Sequence, residues 1–86
     1  MTDDEIERDV IATIARVAKV PADKLKPDID LRRDLRFDSL MGLKILAALE
    51  KRFEVTVPDD EIDRYRTVAA AIDVVKRLVK ARSLPG

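Results

Sequence analysis

The chain has 86 residues, enough for one small domain and too few for two, and 47% of them are hydrophobic, so a modest core is within reach. It contains no Cys and no His, which excludes disulfide staples, thiolate or imidazole metal sites, and any nucleophile activated by histidine. Its 17 basic residues balance its 17 acidic ones, so net charge points to neither nucleic acid nor a membrane surface.

Only 2 Gly, 4 Pro and 3% aromatic residues argue against an all-β fold, which needs turn glycines and β-branched alternation. The N-terminal "MTDDEIERD" is acidic where a secretory signal is basic and then apolar, and no apolar run approaches the ~20 residues of a membrane span. A soluble cytoplasmic domain is expected.

In "TDDEIERDVIATIARVAKV", Ile6, Val10, Ile14 and Val17 recur at helical spacing, and Ile11 and Ala18 widen the stripe. Thr2 and Glu5 have the spacing of a capping box, acidic residues crowd the first turn, and Pro21 ends the helix. The connection "PADKLKPDIDLRRDLRF" is long for a small domain and predicts a loop pinned by Leu25, Ile29, Leu31 and Leu35. A second helix is predicted from Asp38 or Ser39 to about Arg52, burying Ile45, Leu46 and Leu49, with Phe53 at its end. "EVTVPDDEIDRY" predicts a connector and a short helix opening near Pro58. Thr67 is the predicted N-cap of the last helix, which turns Val68, Ile72, Val75 and Val79 inward and carries Lys76, Arg77 and Lys80 towards its C-terminus. "RSLPG" (residues 82–86) reads as a frayed end. The expected architecture is all-α: three longer helices plus one short helix, a single domain over residues 1–82 and a flexible tail over 83–86.

Ser39 is the residue whose chemistry demands explanation. As an N-cap it would be ordinary, but Asp38 caps equally well and would leave Ser39 at the first helical position. As a catalytic nucleophile it lacks a base: there is no His, and an exposed Lys44 keeps its proton at neutral pH. The third reading is an attachment point, a hydroxyl that another enzyme modifies, and a helix N-terminus suits a phosphate there.

The stretch "DLRFDSLMGLKILAALEKRFEVTVPDDEIDRYRTVAAAIDVV" resembles the core of the acyl carrier protein family, in which D-S-L opens the second helix. The resemblance covers nearly the whole chain, through the pinned loop ending in D-L-x-x-D-S-L, the "ALEKRF" helix end, the "VP-DD" turn and the "TVAAAI" opening of the last helix. It implies that Ser39, flanked by Asp38, carries 4′-phosphopantetheine through a phosphodiester, and that the arm's thiol holds acyl groups as thioesters. It implies no intrinsic catalysis and no metal. The expected partners are a phosphopantetheinyl transferase and acyl-loading, acyl-transferring or synthase enzymes of a specialised fatty-acid, lipid or polyketide pathway. Leu40, Met41, Leu43, Lys44, Ala47 and Lys51 are the expected recognition residues on a monomeric carrier.

Departures from the family are informative. Residues 31–53 carry Arg32, Arg33, Arg36, Lys44, Lys51 and Arg52 against Asp34, Asp38 and Glu50, a net charge of +3, whereas residues 54–65 carry −4. The family commonly has an acid where Lys44 stands and an acidic or polar residue where Met41 stands. A solvated face with drifted charges is one reading. Specialisation for dedicated partners is the other, favoured because the basic residues gather round Ser39. Arg36 stands where relatives usually have Gly, so a positive φ there would cost about 1 kcal/mol. Phe37 fits the usual hydrophobic slot as a core peg. Small Ala47 and Ala48 beside Ile45, Leu46, Leu49, Ile62, Val68 and Ile72 would either admit an acyl chain or pack as ordinary core.

The alternatives are a peptidyl or aminoacyl carrier, disfavoured because "DLRFDSL" lacks a Gly-rich approach to the serine, and, in a different class, a small helical nucleic-acid-binding module using Arg32, Arg33 and Arg36, or a scaffold without the arm.

Overall fold

The computed structural model describes residues 1–58 and 66–83. These residues are all-helical: α1 (Asp3–Ala18), α2 (Ser39–Phe53) and α3 (Val68–Ser83), with a 3₁₀ turn over Ala22–Lys24 in the long connection between α1 and α2. The capping box forms at the start of α1. Thr2 Oγ1 accepts from the Glu5 N–H at 3.2 Å, and the Glu5 carboxylate accepts from the Thr2 N–H at 3.2 Å. That N–H is the main reason the Glu5 carboxyl is held below its usual range. The helix stops at Ala18, before Pro21, because Lys19 turns left-handed at φ 58° and its N–H closes on the Ala15 carbonyl.

Ile6, Val10 and Ile14 are buried as the periodicity predicts, while Ile11, Val17 and Ala18 form the half-buried margin of the stripe. Thr13 shares the buried face. Its hydroxyl is satisfied one turn back by donating to the Asp9 carbonyl at 2.7 Å. In α2 the buried residues are Ile45, Leu49 and Phe53, with Leu46 half-buried; in α3 they are Val68, Ala71, Ile72, Val74, Val75 and Val79. Each fully buried aliphatic side chain contributes ~1.5–3 kcal/mol, so this core is the main source of stability. The exposed pairs Arg52–Asp9 and Lys80–Asp3, which link α1 to its neighbours, add at most ~1 kcal/mol each.

The pegs behave as predicted: Leu25 and Leu31 are buried, Ile29 and Leu35 half-buried. Backbone pairing does the rest. Asp30 and Thr67 form an isolated antiparallel bridge. The Leu31 N–H donates to the Arg66 carbonyl at 2.6 Å, the Val68 N–H to the Ile29 carbonyl at 3.1 Å and the Ala69 N–H to the Pro27 carbonyl at 3.0 Å. The last two satisfy donors that the first turn of α3 leaves without intrahelical partners. Thr67 caps the same helix, its Oγ1 accepting from the Ala70 N–H at 3.1 Å.

Helix α2 ends where Glu54 turns left-handed at φ 55°, and Glu50 Oε2 accepts from the Val57 N–H at 2.8 Å to hold the chain that follows. One expectation needs correcting. Arg82 is helical, not frayed: its guanidinium donates to the Phe53 carbonyl and lies 3.7 Å from the Glu54 carboxylate, closing the C-terminal ends of α2 and α3 together. Helix α3 runs to Ser83, the first residue of the expected tail, and residues 84–86 lie outside the described part, as do Ile62 and the body of the short helix predicted from near Pro58. Among the described residues no helix is long and apolar enough to cross a membrane.

Candidate functional site at the start of α2

Asp38 caps α2. Its backbone is extended (φ −89°, ψ −178°), its Oδ1 accepts from the Met41 N–H at 2.9 Å, and its carbonyl accepts from the Gly42 N–H at 3.0 Å. Ser39 is therefore the first helical residue, exposed and relieved of capping. Arg36 reaches this cap through the left-handed region, at φ 57°, the conformation anticipated from the Gly usual in relatives. Phe37 follows with its N–H on the Leu31 carbonyl at 3.1 Å and its ring half-buried against the core, as a peg.

A pair of carboxylates stiffens the approach. Asp30 Oδ1 accepts from the N–H groups of Arg32 (2.9 Å) and Arg33 (2.8 Å), and the Asp30 N–H donates to Asp34 Oδ2 (2.9 Å). The Asp34 N–H returns to the Asp30 carbonyl at 2.8 Å. Asp30 is only 8% exposed, and the Arg33 N–H foremost holds its carboxyl below the ordinary range. The Asp30 N–H does the same for Asp34, whose carboxylate also lies 3.3 Å from Arg33 Nε. Arg66, arriving from the chain before α3, places Nε 3.9 Å from Asp30 Oδ2. Sequence reasoning singled out neither Asp30 nor Arg66. An Asp followed two and three residues later by free N–H groups is an Asx-turn signal and could have found the first; nothing local marks Arg66.

Arg32 Nη2 donates to Ser39 Oγ at 3.2 Å. Beside the serine lies a cavity of about 360 Å³ between α2 and α3. Its exposed lining includes Arg32, Asp38, Ser39 and Arg66, and its deeper lining is aliphatic: Leu46, Leu49, Val57, Val74 and Val75. Ala47 and Ala48 are absent from this wall, and Ala47 is exposed on the outer face. The interior space lies where α2 faces α3, and the small α2 residue on its lining is Gly42, not Ala47 or Ala48.

Leu40, Leu43, Lys44, Ala47 and Lys51 are all exposed, and each lies three or four positions from at least one other of them, so they line one face of α2. Leu40 and Leu43 are 60% and 54% exposed, the largest apolar side chains so placed on this helix. Met41 differs from the other expected recognition residues in packing, half-buried, against the core. An exposed hydroxyl at a helix start, with a guanidinium beside it and no imidazole in the chain, is suited to being modified and poorly suited to attacking.

A family model described as a phosphopantetheine attachment site matches residues 8–75, a span that includes Asp38, Ser39 and Leu40. The chain is 33% identical over 81 residues to the acyl carrier protein of Thermosynechococcus vestitus (strain NIES-2133 / IAM M-273 / BP-1), covering 94% of this chain and 100% of that one. It is 32% identical over 75 residues to the acyl carrier protein of Acidothermus cellulolyticus (strain ATCC 43068 / DSM 8971 / 11B), covering 87% and 89%. The prosthetic group that accompanies such a domain is 4′-phosphopantetheine, and an accessible hydroxyl next to a guanidinium fits its phosphate. By its fold, its matched span and these two relatives, the chain belongs to the acyl carrier protein family.

Proposed function

We propose that the chain works in the cytoplasm as a monomeric carrier without catalysis of its own, bearing the phosphopantetheine arm on Ser39 and delivering acyl groups to enzymes of a dedicated fatty-acid, lipid or polyketide pathway. The observation that carries this reading is the placement of Ser39: exposed, first in α2, freed from capping by Asp38, and at the edge of an apolar cavity. When bound, the group supplies a terminal thiol that holds acyl chains as thioesters. The protein's own part is mechanical. Asp38 fixes the start of the helix, the Asp30–Asp34 turn stiffens the approach, and Ser39 presents the arm from a rigid base.

Docking falls to the face of α2 carrying Leu40, Leu43, Lys44, Ala47 and Lys51, with Met41 contributing mainly from within. Its two cations suit a partner with carboxylates around an apolar notch, and disfavour enzymes built for acidic helices. Incubation with coenzyme A and a phosphopantetheinyl transferase, read by intact mass, tests the attachment: the mass of one arm should appear on the native chain and vanish in Ser39→Ala. A folded chain that takes no arm from any transferase overturns the reading. Lys44→Glu tests the docking face. Relieving one exposed like-charge contact is worth ~0.2–1 kcal/mol, so transfer by a general fatty-acid synthase enzyme should rise by up to about fivefold, and an unchanged rate removes that part of the proposal.

A further inference from the structure

Two arginines near the site are engaged by carboxylates: Arg33 by Asp34 and Arg66 by Asp30. Arg32 is different. Among the described residues no carboxylate lies within 4 Å of its guanidinium, and the polar partner of that group is the Ser39 hydroxyl, 3.2 Å away. Its backbone is fixed independently, through its N–H on Asp30 Oδ1 at 2.9 Å, so the side chain starts from a rigid anchor.

We infer that Arg32 is a positioning residue for the prosthetic group, clamping the phosphodiester that esterification places on Ser39; this rests on the reading of Ser39 as the attachment site. A neutral hydroxyl is a weak partner for a guanidinium. Once Oγ becomes a bridging oxygen of the phosphodiester, the two non-bridging oxygens that share its single negative charge sit two bonds beyond it, within reach of a fork of donors that matches them in charge and plane. The contact seen with Oγ is thus replaced by a charge-assisted one, and the root of the arm is held beside the cavity entrance while its distal end stays free. Lys, a single point charge, would hold the phosphate with less directional control.

An exposed ion pair contributes little to stability, so the test reads geometry and not melting temperature. The ³¹P resonance of the loaded chain and the guanidinium resonances of Arg32 and Arg33 are recorded for the native protein, Arg32→Gln, Arg32→Lys and Arg33→Gln. Loading should shift the Arg32 guanidinium signals and leave those of Arg33 in place. The ³¹P resonance should move in Arg32→Gln, move less in Arg32→Lys and stay put in Arg33→Gln. Raising salt to about 1 M, where the screening length falls to about 3 Å, should bring the native ³¹P signal towards that of Arg32→Gln. A loaded chain whose ³¹P signal is identical in native and Arg32→Gln overturns this inference alone. A chain that mass spectrometry shows unloaded overturns both it and the attachment reading.

Discussion

Replacing Arg36 by Gly should stabilise the protein without altering its chemistry. Arg36 sits at φ 57°, where Cβ crowds the following carbonyl and an L-residue is disfavoured by ~1–2 kcal/mol. Gly removes that strain, but its unfolded chain is freer, which costs about 0.5–1 kcal/mol. The difference spans ~0–1.5 kcal/mol with a central gain of about 0.75 kcal/mol, or roughly 3–6 °C in melting temperature for a domain of this size. The Arg36 side chain is exposed, so deleting it while keeping Cβ, as in Arg36→Ala, should leave stability within about 0.5 kcal/mol of the native value. Urea titration and thermal melting of the two variants separate strain from side-chain effects. Lys19, at φ 58°, supplies an internal replicate where Gly should act in the same direction. If Arg36→Ala gains as much as Arg36→Gly, or if Gly destabilises, backbone strain is not what Arg36 imposes. Arm loading on Ser39 should be retained, because the Asp38 cap does not depend on the Arg36 side chain.

Asp38→Ala removes the acceptor for the Met41 N–H and should cost about 1 kcal/mol in urea unfolding, with Asp38→Asn recovering most of it. Stability should fall in acid: Asp30 and Asp34 have folded pKa values below their unfolded ones, so the unfolded state binds more protons as the pH drops, and their contribution is full at neutral pH and lost from about pH 4 downwards. Asp30→Asn, compared by urea titration at pH 7 and in acid, should show a shallower pH dependence; an unchanged slope would assign the loss to other carboxylates. If the aliphatic cavity shelters the cargo, the Leu46 methyl resonances of acyl-loaded protein should change progressively with chain length, each buried CH₂ favouring entry by ~0.8 kcal/mol. Shifts that ignore acyl length would mean that the chain stays outside.

What could be read from the amino-acid order is what residues within about one helical turn determine together. The Thr2–Glu5 box, the Thr67 cap and the 3.6-residue stripes all involve partners three or four positions apart, and they decided the helices; the choice between Asp38 and Ser39 as cap stayed open in the sequence, and the structure gives it to Asp38. The left-handed turn at Arg36 was legible only through the Gly of relatives, since nothing about an arginine announces a positive φ. Tertiary structure decided everything that joins distant segments. It brought Arg66 to a buried Asp30, paired the loop with Thr67, and anchored Arg82 on the Phe53 carbonyl 29 residues away. It set Arg32 against the Ser39 hydroxyl, and opened the cavity between α2 and α3 instead of beside the alanines of α2. Periodicity says which face of a helix is apolar but not what that face will meet, because the meeting depends on how the long loop folds back, and that is settled by hydrogen bonds between residues far apart in the chain.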